Sequence, residues 1–149
     1  MVLLGAVLLS SCATGAFHGT TWAGLAVDEN TAYLADASLV YGISLSDGRE
    51  LWRFLDGEDN KAQFYANPTI TTDGLVIIGS AGGTHILYAL DPSDISTENE
   101  IKSPATDWTV TGAKGPWTAS SLVVGDLLFA PNSDGNLYVL NLQDGQSQK

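Results

Sequence analysis

The sequence predicts an all-β protein, a β-propeller of four-stranded antiparallel blades with about three blades present. Short runs of alternating apolar and polar residues fill positions 21–149, and none shows the period of a helix. A Tyr-x-[Ile/Leu]-[Ser/Asp/Asn] element also occurs three times, beginning at Tyr41, Tyr88 and Tyr138. The spacing of these elements is close to the ~40–50 residues of one propeller blade. A plain β-sandwich also has many short strands, but it does not require a recurring motif.

The repeats place the blades at about 21–55, 66–110 and 116–149. The clearest unit begins at Tyr41, where large apolar residues alternate with small or polar ones. The Ser-Asp-Gly sequence that ends at Gly48 then predicts a tight turn, because Asp accepts the bend and Gly adopts a positive φ cheaply. Closed propellers contain about four to eight blades. We therefore expect this sequence to be a fragment of a longer protein.

Two segments interrupt the repeats. Asp56–Lys61 links the first two units as a solvated loop, and Ser93–Thr106 is predicted to be a long rim loop inserted into the second unit. Acidic residues in or beside this insertion are of the type that binds calcium, but the Asp-x-Asp-x-Asp-Gly motif that supplies calcium ligands is missing. We therefore expect no metal there. The acidic residues are Asp91, Asp94, Glu98 and Glu100.

Composition and charge restrict the class of protein. The chain has 149 residues, of which 44% are hydrophobic, so a packed core is expected. The formal net charge of −11 disfavours a nucleic-acid partner, because an acidic surface repels phosphates. Solubility is the simplest role for this charge. Cys12 is the single cysteine, so the chain forms no internal disulfide.

The N-terminus has the pattern of an export signal. Val2–Leu9 is an apolar run, too short to span a bilayer, that leads into Leu9-Ser10-Ser11-Cys12. This sequence resembles a bacterial lipobox, which implies that residues 1–12 are a signal peptide with its lipobox, that Cys12 carries a diacylglycerol, and that residues 13–20 are a tether. The alternative is that Cys12 is a small buried hydrophobic residue. The Lys or Arg expected in a signal peptide is missing. The anchor would hold the protein to the periplasmic side of the outer membrane or to the outer face of the cytoplasmic membrane, and Ala13 favours the outer membrane.

The segment from Gly42 to Trp52 resembles the tryptophan-docking motif of pyrroloquinoline quinone (PQQ)-type propeller repeats, Ala-x-Asp-x-x-Thr-Gly-Lys-Glu-x-Trp. Gly48, Glu50 and Trp52 match this motif, whereas Gly42 stands in place of Ala. The second unit keeps the tryptophan as Trp108. In that family the tryptophan packs between neighbouring blades. The resemblance therefore implies that Trp52 and Trp108, with Gly48 and Glu50, dock the blades rather than bind a ligand.

The same resemblance bears on function. PQQ-dependent dehydrogenases add adjacent cysteines, a calcium held by acidic and amide groups, and a catalytic Asp, none of which is matched here, so we expect neither PQQ nor calcium. His18 and His85 lie in separate contexts and form no zinc motif. Repeats combined with a lipobox resemble BamB-like lipoproteins of the β-barrel assembly machinery. We therefore expect a non-catalytic, membrane-anchored scaffold with a protein partner in the cell envelope. The alternatives are a fragment of a quinoprotein dehydrogenase and a propeller that binds a ligand.

Overall fold

The computed structural model describes residues 23–55 and 61–148. The predictions for Cys12, for the leader and tether, and for most of the Asp56–Lys61 linker lie outside these residues. None of the elements within them is a helix able to cross a bilayer. In chain order the strands are β1 (Gly24–Val27), β2 (Thr31–Asp36), β3 (Leu39–Ser44), β4 (Glu50–Leu55), β5 (Ala62–Gln63), β6 (Thr69–Ile70), β7 (Val76–Gly79), β8 (Ala81–Gly82), β9 (Leu87–Glu98), β10 (Ile101–Val110), β11 (Leu122–Val124), β12 (Leu127–Pro131) and β13 (Leu137–Asn141).

The strands form three antiparallel sheets that correspond to the predicted blades. Blade 1 has the order β1-β2-β3-β4 and blade 2 the order β10-β9-β7-β6. Blade 3 contains β11, β12 and β13, and Leu140 pairs with Ser147 where a fourth strand would run. A separate two-stranded sheet joins β5 to β8. The prediction of an all-β protein made of four-stranded antiparallel units is confirmed.

The core lies between the blades rather than inside a single sheet. Successive side chains of a strand point to opposite faces, so each blade offers one face to each neighbour. All four residues of β7 are buried, because blade 2 is covered on both sides. One apolar cluster joins blades 1 and 2 through Tyr33, Val40, Trp52, Phe54, Val76, Ile78, Tyr88 and Leu90. A second cluster joins blades 2 and 3 through Ile77, Leu87, Ala89, Trp108, Trp117, Leu128, Ala130 and Leu140.

The prediction of a long loop at Ser93–Thr106 is wrong, because β9 and β10 continue through it as a hairpin. Glu98 pairs with Ile101 across a turn in which Asn99 and Glu100 have φ values of 48° and 67°. Positive φ at both central residues is what a two-residue type I′ turn requires. We call residues 95–104 the arm. Register shifts at two points separate the arm from the regular part of the blade.

Candidate functional site

The indole of Trp52 lies directly on its own sheet. Trp52 is opposite Gly42 in the β3–β4 register and is 3% exposed. A Cβ atom built on Gly42 would lie 2.3 Å from Cε2 of the indole, so the ring occupies the space that a side chain at position 42 would take. The ring of Tyr33 lies 5.9 Å away, centroid to centroid. Trp52 thereby belongs to the cluster between blades 1 and 2.

Trp108 connects blade 2 to blade 3. Its Nε1 donates a buried hydrogen bond of 2.9 Å to the carbonyl oxygen of Leu142, just after β13. A Cβ atom on Gly145 would lie 2.7 Å from Cε3 of the indole, so the ring sits against the turn that follows β13. Gly145 has φ of 67°, a conformation that glycine adopts without strain. The indole therefore combines apolar packing with a directional contact to the next blade.

Gly48 and Glu50 lie at the surface beside this packing. Gly48 has φ of 71°, and its N–H donates 2.9 Å to the carbonyl of Ser44, which closes the turn between β3 and β4. The carboxylate of Glu50 accepts hydrogen bonds from Nε and Nη2 of Arg53, at 2.6 and 2.8 Å. This ion pair is exposed, so solvent screens it and it contributes little to stability. Glu50 thus supports β4 locally and lies outside both core clusters.

Trp117 is a third buried tryptophan in the described chain, at 1% exposure. Its backbone N–H donates 3.1 Å to the carbonyl of Ser80, and its ring meets Tyr138 edge-on at 4.9 Å. A Cβ atom on Gly79 would lie 2.2 Å from the Trp117 Cβ. Trp117 therefore fills the space between β7 of blade 2 and β13 of blade 3. Its place at the start of the third repeat is the sequence signal for this packing.

One edge of the molecule carries shallow polar clefts. We call it the acidic rim; it is formed by the β1–β2, β3–β4, β6–β7 and β11–β12 turns, the turn after β13, and the arm. A cleft of about 400 Å³ lies between blades 2 and 3, one of about 340 Å³ lies between blades 1 and 2, and one of about 370 Å³ lies on blade 1. The cleft between blades 2 and 3 is lined by Thr72, Asp73, Gly125, Asp126, Asn141, Leu142 and Gln143. Its lining includes carboxylate and amide groups.

Ionisable groups with shifted pKa values hold fixed protonation states at neutral pH. Burial raises the pKa of Asp28, but hydrogen bonds from the Tyr33 hydroxyl and from the N–H groups of Asn30 and Thr31 outweigh this and lower it. Burial, together with the hydrogen bond to Asp28, raises the pKa of Tyr33 to about 12. The hydrogen bond from Arg49 lowers the pKa of Asp47 to about 2. These groups are suited to structural hydrogen bonding, since none is shifted toward neutrality as a general acid or base requires.

The charge of the clefts bears on PQQ, the cofactor after which the repeat is named. PQQ carries three carboxylates, whereas the clefts between and beside the blades are lined by acidic and neutral side chains. Arg49 and Arg53 form ion pairs with Asp47 and Glu50. Within the described ranges, no three His, Cys, Asp or Glu side chains are grouped so that they could hold a metal ion.

Antiparallel blades that repeat along the chain and dock through buried tryptophans define a β-propeller repeat protein of the PQQ-like class. The model of the family described as outer membrane protein assembly factor BamB matches residues 10–149. The chain therefore belongs to the BamB family, and the resemblance predicted from the sequence is confirmed.

A solved structure agrees with this fold. BamB from Moraxella catarrhalis superposes with a TM-score of 0.61 at 19% identity, over 83% of this chain and 32% of that protein. The chain thus spans about a third of that relative. A protein of unknown function from Bacteroides caccae aligns with a TM-score of 0.42 at 12% identity, over 85% of this chain and 58% of that one. No curated protein matches the chain.

Proposed function

We propose that this chain is part of a non-catalytic propeller scaffold that is anchored in a bacterial membrane and binds a protein partner at the cell envelope. The observation that carries the proposal is the match to the outer membrane protein assembly factor BamB over residues 10–149. The role in outer-membrane protein assembly is carried over from the name of that family. Rigid blades stacked through Trp52 and Trp108 suit a scaffold, because a preorganised surface loses little conformational entropy on binding.

The charge of the chain favours a basic partner surface. The acidic rim contains Asp28, Glu29, Asp73 and Asp126 beside its clefts. Charge complementarity of this kind accelerates association and disfavours partners of the same sign. We therefore propose a partner that offers Lys and Arg side chains.

The membrane anchor is tested by labelling. The full chain, expressed in a bacterial host with a restored leader, incorporates a palmitate analogue at Cys12 and sediments with the membranes. Cys12→Ser loses both properties, whereas Thr20→Ala, in the tether, keeps both. Equal labelling of Cys12→Ser and the parent would contradict the anchor without contradicting the scaffold role.

The scaffold role is tested by crosslinking in cells. A photoreactive amino acid at position 126, in the cleft between blades 2 and 3, is expected to give a discrete crosslink to an envelope protein of the outer-membrane assembly machinery. The same group at Ser38, between β2 and β3 at the opposite edge, is the control. A crosslink pattern identical at both positions, or none to that machinery, would contradict the proposal.

A cofactor-dependent enzyme is the competing proposal and has its own test. Titration of PQQ with calcium is expected to leave tryptophan fluorescence and melting temperature unchanged, because the clefts repel a tricarboxylate. Saturable micromolar binding would instead support the quinoprotein alternative. A saturable response to a sugar or peptide would support a ligand-binding propeller.

A further inference from the structure

The arm is an exposed, two-stranded extension of blade 2. Every residue from 93 to 102 is exposed, on both strands of the hairpin. The pairing of β9 with β7 ends at Leu90, so in the described part of the chain β10 is the neighbour of β9 along the arm. Blade 2 has blades 1 and 3 on its two sides, so the arm is exposed although both neighbouring blades are described. A hairpin of two strands alone is marginally stable in water, and a third strand would stabilise it.

The register of the arm shows which backbone groups point outward. Antiparallel pairs alternate between those that exchange hydrogen bonds and those whose N–H and C=O groups point away from the partner strand. In a hairpin with a two-residue turn, the pair next to the turn exchanges hydrogen bonds, and here that pair is Glu98 with Ile101. The pairs whose backbone groups point outward are therefore Thr97 with Lys102 and Ile95 with Pro104. A proline suits such a position, because no hydrogen bond within the arm needs its N–H.

The two edges of the arm differ in their protection against another strand. On β10 the outward positions are Lys102 and Pro104, and lysine and proline are residues by which natural proteins block an exposed edge. On β9 the outward positions are Ile95 and Thr97, which keep their N–H groups and have β-branched side chains that favour a strand. The β9 edge of the arm is therefore the edge that can accept another strand.

Side chains along the β9 edge define the kind of strand that fits it. Alternation places Ile95 and Thr97 on one face of β9, and Asp94, Ser96 and Glu98 on the other. An apolar side chain of an added strand would cover Ile95, which is 36% exposed. Lys or Arg side chains on the opposite face would lie beside the two carboxylates. A second copy of the arm fits poorly, because it brings carboxylates together in a chain whose net charge is −11.

We propose that the β9 edge of the arm binds an extended segment of a partner protein as an added strand, and that apolar residues alternate with Lys or Arg in this segment. Main-chain hydrogen bonds to Ile95 and Thr97 supply the affinity, while Asp94 and Glu98 select the charge. The proposal rests on the proposed function, because it names the way in which the basic partner is bound. The crosslink at position 126 tests that function at a different place, so either of the two can fail alone.

The test is binding of a fluorescently labelled peptide of alternating valine and lysine to the full chain in mild detergent, followed by fluorescence anisotropy. Thr97→Pro removes an outward N–H of the β9 edge and is expected to weaken binding by roughly tenfold. The matched control is Lys102→Pro, which makes the same change directly opposite, on the β10 edge, and is expected to keep the binding. Removal of the lysine charge can only strengthen the attraction to a basic peptide. Amide hydrogen exchange at Ser96 and Ser103, which form a hydrogen-bonded pair, verifies that both variants keep the arm.

Amide hydrogen exchange of the complex gives a second readout. The peptide is expected to slow exchange at Ile95 and Thr97 and to leave Lys102 unchanged, and a peptide of alternating valine and glutamate is expected not to bind. Equal affinity of the parent and Thr97→Pro would overturn the proposal, because attraction between opposite charges alone would then explain the binding. Protection of Lys102 instead of Thr97, absence of binding to the parent, or self-association of the parent through the arm would also overturn it.

Discussion

Trp52 is a large buried residue of the contact between blades 1 and 2. Its ring fills the space over Gly42 and joins the apolar cluster between these blades. Trp52→Ala is expected to cost about 3–5 kcal/mol, through lost transfer free energy and the cavity left behind. Thermal or urea unfolding measures this, with Leu51→Ala as the control because the adjacent Leu51 is 36% exposed. A Trp52→Ala variant that melts like the parent but loses a partner would make this surface a binding site.

Tyr33 and Asp28 provide a prediction about pH. The Tyr33 hydroxyl donates 2.5 Å to Oδ2 of Asp28. Tyr33→Phe is expected to cost about 1 kcal/mol at pH 7, a value kept small because Asp28 is exposed. The folded-state pKa of Asp28 is lowered from 3.8, so this stabilisation is present above pH 3.8 and is lost as pH falls through the folded-state value.

At alkaline pH the stabilisation by the same hydrogen bond is lost as pH rises. The pKa of Tyr33 is raised from 10.0 to about 12, so the stabilisation is complete below pH 10 and is lost between about pH 10 and 12. Denaturant unfolding of the parent and Tyr33→Phe from pH 2.5 to 9 checks the acid limb. If the difference in free energy of unfolding between the parent and Tyr33→Phe does not change with pH, the hydrogen bond to the charged carboxylate of Asp28 contributes nothing measurable.

The sequence could predict the docking role of Trp52 better than that of Trp108. The motif around Gly48 and Trp52 is contiguous, so the strand, turn and partner strand follow from local spacing. The hydrogen bond from Trp108 to Leu142 joins residues far apart in the chain, and only the packing of blade on blade brings them together. Side-chain periodicity fixes which face a residue occupies, but it carries no information about such contacts.

At the scale of elements, the arm was the main feature that the sequence did not predict correctly. Pro92 and Pro104 lie in this hairpin although proline is rare in paired strands. The structure accommodates both near register shifts, where ladder hydrogen bonds are interrupted. The signal for a hairpin was present as alternating residues on both sides of Asn99, which favours a type I′ turn.

A substitution at position 100 is expected to stabilise the turn of the arm, because Glu100 has a positive φ of 67°. A residue with a side chain is strained in this conformation, and Asn-Gly is the preferred type I′ sequence. Glu100→Gly is therefore expected to stabilise the arm by about 0.5–1 kcal/mol. Slower amide hydrogen exchange at Thr97 and Lys102 measures the effect. Glu29→Gly, in an exposed turn where no positive φ occurs, serves as the control, and faster exchange in the Glu100→Gly arm would show that the turn is of another type.

At the scale of the whole molecule, each blade contacts only its neighbours. Blades 1 and 2 share one cluster and blades 2 and 3 share the other, so stability is close to a sum of blade and contact contributions. The repeat pattern in the sequence was enough to predict this layered order.

Because each blade contacts only its neighbours, we expect a substitution at one contact to destabilise mainly the blades that meet there. Trp108→Phe keeps most of the apolar packing but removes the Nε1 donor, which leaves the buried carbonyl of Leu142 without its partner. An unsatisfied buried acceptor costs about 1–3 kcal/mol. Amide hydrogen exchange followed by mass spectrometry is expected to show faster exchange in β11–β13 while β2–β4 keep the protection of the parent. Trp52→Phe should instead affect blade 1. Equal loss of protection in blades 1 and 3 after Trp108→Phe would mean that the three blades unfold as one cooperative unit.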